Sequence, residues 1–315
     1  MWRGVFYALL AAVGIAAATT PYVASVSFPA LVGYTLLPLT FYLIAFLVWL
    51  AKLWPESPMP VLRDKCRDAT LKSIDRTGLF VGSSLFFTWL PPIKATFPAA
   101  HGFWADVPLA SFERAILGQD AWKISHALLG ELTRAIDYLY NLWVIIIVLI
   151  SLCVALFASE RRMAAYFLGI ALSWTVLGIG MAGALASAGP IFGPDLGYGF
   201  EDLRPHLEDA RLTMLGHDIL WNTYQHGLLR IGGGISAAPS IHCALTFVFC
   251  LSAYKTRWFI PAVAYSAFIW VGSVHLGWHY FLDGLLSLLG VLAMWPLILW
   301  IREPTWPGRR KLAAA

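Results

Sequence analysis

The chain has 315 residues, 59% of them hydrophobic and only 13% charged, with a formal net charge of +4. A water-soluble domain carries about a quarter charged residues, so this composition excludes one and points to an integral membrane protein. The charge is small and forms no block of one sign, which excludes nucleic acid as a partner.

Taken in chain order, apolar runs fall near 5–26, 30–53, 78–92, 136–158, 163–188, 240–254, 258–276 and 279–301. A span needs roughly 20 apolar residues to cross about 30 Å of hydrocarbon. The expected fold class is therefore all-α, a polytopic bundle of about eight transmembrane helices. Arg3 before the first run resembles the start of a cleaved signal, but the run is long for one and is read as a retained span. Between the second and third runs, residues 60–77 are basic and amphipathic, the pattern of a helix against anionic headgroups. Two longer segments, 93–135 and 189–239, carry Gly, Pro and charge. Within the first, Ser111 to Leu132 reads as one amphipathic helix lying on the membrane or capping the bundle.

Orientation follows from the basic residues of the loops. With both termini in the cytoplasm, fifteen of the 22 Lys and Arg fall on the cytoplasmic side and seven outside. The two long segments then lie outside. Cys66, Cys153, Cys243 and Cys250 form no disulfide framework and read as small apolar residues.

Ionisable groups within a membrane are costly and mark function. They concentrate between 230 and 283. Arg230 is followed by Gly232-Gly233-Gly234-Ile235-Ser236, then by Pro239-Ser240-Ile241-His242, which opens an apolar run as N-cap and N1 residues open a helix. Free amides at such a terminus accept an anion, and glycines let a phosphate approach the backbone. The bland alternative is an ordinary cap with a buried histidine. His279 and Asp283, four apart, share a helix face. The Asp can fix the ring's tautomer and leave its other nitrogen as a nucleophile, or merely staple the helix start. His275, His279 and Asp283 would line up for a metal only on one unbroken helix, and Gly277 argues against that. With the spans alternating, both motifs fall at the outer surface on adjacent helix ends. His206, His217 and His226 read as solvated loop residues.

Pro239-Ser240-x-His242 and His279-x-x-x-Asp283 resemble the second and third signatures of the type 2 phosphatidic acid phosphatase superfamily. The surrounding residues, from Gly232 to His242 and from Val274 to Asp283, are similar to its inositol phosphorylceramide synthase-like branch. Upstream, Ser187-Ala188-Gly189-Pro190 and the segment from Lys94 to Trp122 resemble that branch more loosely. The resemblance implies an enzyme acting on lipid phosphoesters through a phosphohistidine, with no metal or other cofactor. His279 is then the nucleophile, Asp283 its orienter, and His242 the general acid and base. Ser240, Gly234, Arg230 and Arg204 are the expected phosphate-binding residues, with His275 and Ser273 as acceptor or headgroup contacts. The first signature is half present, because Gly197 stands where a Lys is usual before Arg204-Pro205. Gly272-Ser273 replace the Ser-Arg that usually opens the third. A cation is thus missing from each, and Lys94, Arg204, Arg211 and Arg230 are the outer-side candidates to replace them.

The expected organisation is an N-terminal region, 1–135, a catalytic core, 136–301, and a basic tail, 302–315. The expected partners are the bilayer and a phospholipid, polyprenyl or sphingolipid-type lipid phosphate, in the plasma or inner membrane. The reading from another class is a transporter using His and Asp as a proton or substrate relay, and such relays sit on broken helices near the midplane.

Overall fold

The computed structural model describes residues 1–21, 40, 44, 59–226 and 233–303, the side chains of 59–73 and 100 apart. The described residues form helices and loops without a strand. The main helices are α1 (Trp2–Ala18), α2 (Met59–Lys94), α3 (Asp106–Leu117), α4 (Ala121–Leu129), α5 (Thr133–Asn141) and α6 (Trp143–Phe157). They continue with α7 (Glu160–Ala184), α8 (Arg211–His226), α9 (Ile241–Ala253), α10 (Phe259–His275) and α11 (Phe281–Arg302).

Helices occupy the expected span positions with the exception of 30–53, which falls almost wholly outside the described residues. Among the described residues only α7 and α11 are by themselves long and apolar enough to cross a membrane. The run from α4 through α6 makes a third if it counts as one span bent by 42°. α1, α9 and α10 are apolar but shorter. At 1.5 Å per residue, the 13 residues of α9 reach about 20 Å, less than the hydrocarbon core. Among the described residues two or three candidate spans are therefore clear, and the expected eight are not reached there. The basic stretch 60–77 is not a separate helix, since it continues into α2 without a break.

The helix expected over 111–132 is broken. Gly118 takes a left-handed φ of 77°, and its amide bonds back to the Arg114 carbonyl, closing α3 before α4 begins. Only a residue without Cβ adopts that conformation freely.

α9 lies at the centre, packed against α7, α10 and α11. Close approach depends on absent side chains: a Cβ on Gly169 of α7 would meet Val248 of α9 at 2.6 Å. Small residues of this kind let membrane helices pack closely where no hydrophobic force drives them together. In α7, Ser173–Met181 winds as a π-helix, and its Gly178 faces Ile241 at the start of α9.

The two ends of the bundle differ. At one, Arg3 of α1 pairs with Asp75 of α2 and Glu160 of α7. Nearby, Arg76 donates to the Ala155 and Leu156 carbonyls at the end of α6, and Arg161 pairs with Glu303 just past α11. The opposite end gathers the tip of α2, the loops after α7 and α10, and the starts of α9 and α11. Buried carboxylates knit this second end. Asp137 of α5, for example, accepts from the Leu212 and Thr213 amides at the start of α8, both at 2.8 Å.

Candidate active site

Ser240 caps α9 as its sequence suggested, with its Oγ accepting from the Cys243 amide. His242 therefore sits in the first turn, where main-chain amides have no partner within the helix. Its ring lies 4.2 Å, centroid to centroid, from Trp143 and 5.6 Å from Tyr140.

α10 ends at His275 and α11 begins at Phe281, with Gly277 between them at a φ of 73°. His275, His279 and Asp283 therefore do not lie on one continuous helix. Tyr280 caps α11, and its amide donates to Asp283 Oδ2 at 3.0 Å. The same oxygen lies 3.3 Å from His279 Nδ1, while Asp283 Oδ1 is buried without a partner among the described residues. Thus Asp283 both caps α11 and holds the histidine ring.

The two motifs meet. The His242 and His279 rings are 5.8 Å apart, edge to face, although 36 residues separate them in the chain. The main chain joins the loops as well: the Ser240 amide donates to the Asp283 carbonyl, and the Ser287 hydroxyl donates to the Ser240 carbonyl.

A third loop brackets both. The Ser187 carbonyl accepts from the Ala237 amide, and Ser187 Oγ accepts from the Ala238 amide. Two residues later, Gly189, with a φ of 96°, passes so close to the Trp278 carbonyl that a Cβ would lie 2.4 Å from it. The Ile191 amide then donates to the Gly277 carbonyl. Asp106 of α3 holds this bracket by accepting from the Ala188 and Gly189 amides, and it accepts from the Tyr280 hydroxyl too. Burial pushes the Asp106 carboxyl up to about 6 against the pull of these donors, so it is ionised at neutral pH.

Among the described residues, Lys94, at the tip of α2, is the cation whose charge reaches both imidazoles. Gly234, with a φ of 90°, packs against it: a Cβ there would meet Lys94 Cβ at 2.6 Å and the Pro91 carbonyl at 2.9 Å. His279 lies in the loop before α11. Burial first, and then the Lys94 charge, hold its ring neutral, down to about 3, while the Ala237 backbone pulls the other way. An unprotonated ring at neutral pH is what a nucleophile requires.

The other expected site residues lie as follows. Arg204 pairs with Asp195, which also meets His217. His217 is not a solvated loop residue: it is 2% exposed, stacked on Phe192, and held between Asp195 and Asp218. His206 and His226 are exposed as expected. Arg230 lies outside the described residues. Ser273 Oγ donates to the Trp270 carbonyl within α10, and its own carbonyl accepts from the His279 amide. His275 Nε2 meets the Thr133 hydroxyl, and its ring stacks on His126 at 3.8 Å, leaving Nδ1 buried without a partner among the described residues.

Asp106 and Glu113 escaped the sequence reading. Their signal was present: they fall on one face of α3 with Ala110, opposite Val107, Phe112 and Ile116.

A family model described as the PAP2 superfamily matches residues 108–297. The matched region contains both histidine motifs and begins within α3. No curated protein and no solved structure matches the chain.

Proposed function

The chain belongs to the PAP2 superfamily, whose members are phosphatases, and we propose that it cleaves lipid phosphoesters through a phosphohistidine at His279. The observation that carries this reading is the 5.8 Å approach of the two motif histidines at helix ends, with a carboxylate behind one of them and the Lys94 charge reaching both.

In this reading His279 attacks phosphorus through Nε2 while Asp283 accepts from Nδ1–H. The P–O bond to the leaving group breaks, and His242, protonated once the phosphoryl anion is bound beside it, gives its proton to the departing alkoxide. Neutral His242 then takes a proton from water or an acceptor hydroxyl. That oxygen attacks phosphorus, and the P–N bond to His279 breaks. Lys94 and the first-turn amides of α9 stabilise the equatorial oxygens as charge redistributes over them. Helix ends supply only about half a unit charge, so a dianion needs the lysine as well. Arg204 and Arg230 remain as contacts for the rest of the substrate.

With both termini assigned to the cytoplasm by the basic-residue asymmetry, the site opens at the outer face. The likeness to the inositol phosphorylceramide synthase-like branch supports transfer of a headgroup phosphate to a lipid or sugar hydroxyl over release to water. A proton or substrate relay through the membrane gains no support, because the reactive groups lie at helix ends and not at breaks in mid-span.

The test incubates purified protein with a panel of lipid phosphates, with and without acceptor lipids, and measures free phosphate against transferred product. Turnover is expected to vanish in His279→Ala, and His242→Ala to accumulate phosphorylated protein. Full activity in His279→Ala would overturn the mechanism.

A further inference from the structure

Helix α3 is built inside out. Asp106 and Glu113, two turns apart, are 0% and 3% exposed, while Val107, Phe112 and Ile116 are each more than half exposed. In water such a helix would turn over. Beside lipid its apolar face is satisfied, and the buried carboxylates must find donors within the protein.

They find main-chain amides of the catalytic loops. Asp106 Oδ2 accepts from the Ala188 amide at 2.7 Å, and Oδ1 accepts from the Gly189 amide at 2.9 Å and the Tyr280 hydroxyl at 3.0 Å. Glu113 Oε2 accepts from the Phe281 amide at 2.6 Å, and Oε1 accepts from the Ala121 amide at 3.0 Å. Among the described residues neither carboxylate forms a salt bridge with Lys or Arg. Apart from Ala121 at the start of α4, their contacts fall on the bracket 188–189 and on the two residues that follow His279.

We propose that Asp106 and Glu113 are positioning residues, through which α3 clamps the loop that carries the His279 nucleophile. The inference rests on the assignment of His279 as nucleophile. All four carboxylate oxygens accept from N–H or O–H, so an amide at either position must turn an NH2 toward a backbone N–H. One donor then loses its acceptor, and the loop is released. A displacement of about 1 Å at a reacting atom lowers a rate about 100-fold.

The experiment compares full-length wild type, Asp106→Asn, Glu113→Gln and His279→Ala in phosphatidylcholine nanodiscs, with dioctanoyl phosphatidate as the probe. Steady-state kinetics are read beside amide hydrogen exchange over 187–191 and 277–283. The expected result is a kcat lowered about 10- to 100-fold with KM within threefold, an unchanged folded fraction, and faster exchange in both segments. Wild-type kcat and exchange in folded Asp106→Asn and Glu113→Gln would overturn the proposal. So would a fall in kcat matched by loss of folded protein. If wild type turns over the probe no faster than His279→Ala, the catalytic assignment fails instead, and exchange alone then decides the clamp: faster exchange upholds it and unchanged exchange overturns it.

Discussion

Replacing Asp283 with Asn separates charge from geometry at the nucleophile. Asp283 Oδ2 accepts both bonds, from His279 Nδ1 at 3.3 Å and from the Tyr280 amide, while Oδ1 has no partner among the described residues. An asparagine oxygen can take the place of Oδ2 and keep both bonds, with its NH2 in the unpartnered position. What disappears is the negative charge. As Nε2 bonds to phosphorus the ring becomes cationic, and a full charge 3.3 Å from the carboxylate is stabilised by about 5 kcal/mol at an effective dielectric near 20. With the charge about half developed in the transition state, the loss is about 2–3 kcal/mol, or a fall in kcat of about 100-fold. KM should stay the same or drop, because the carboxylate also repels a dianionic substrate. Rapid-quench measurement of phosphoenzyme formation in Asp283→Asn, with thermal melting to establish folding, tests this. A folded variant with kcat within threefold of wild type would refute the reasoning.

Three further outcomes are expected. Lys94→Met removes the charge that reaches both imidazoles and should lower kcat/KM on a dianionic phosphoester about 100-fold or more; an unchanged kcat/KM would remove Lys94 from the site. The His279 ring, held down to about 3 by burial and Lys94, sits near 6.5 in the unfolded chain. The folded state is thus the poorer proton acceptor, and its stability advantage, complete above pH 6.5, is lost as pH falls toward 3. Between pH 6 and 4.5 wild type should lose up to about 1.4 kcal/mol more per pH unit than His279→Gln, read as the difference in Tm against pH; parallel curves would contradict this. A Cβ at Gly284 would lie 2.1 Å from Trp270 Nε1, which donates to the Phe281 carbonyl. Gly284→Ala should therefore cost about 1–3 kcal/mol, seen as a lower Tm in detergent.

The parts of the site visible in the sequence are those whose chemistry is local. Ser240 caps α9 and Asp283 reaches His279 because offsets of three and four residues fix those contacts through helix geometry alone. Their meeting could be anticipated from alternating spans, since that needs only the direction of each helix. Lys94 could be named as one outer cation among several, but not chosen. Its selection depends on α2 ending beside Gly234, about 140 residues away in the chain. Asp106 and Glu113 were hidden for a different reason: a helix with charges on one face and apolar residues on the other suggests charges toward water, and α3 reverses that order. Gly118 was a visible stop signal, yet the amphipathic pattern on either side of it reads as continuous. His217 sits on a helix rich in polar residues, and its burial comes from Phe192 and Asp195, supplied by a separate turn.

Ser187 carries a consequence of its own. It sits in neither histidine motif, but its carbonyl and hydroxyl both hold the strand of chain leading into Ser240, and the residues just after it hold the turn before His279. The two motifs are therefore not portable modules. Grafted together onto another helical bundle, they would carry the nucleophile and the acid but lose the distance between them. That spacing is a property of the bracket, and a transplant that omitted 187–191 would move the reactive groups without the reaction.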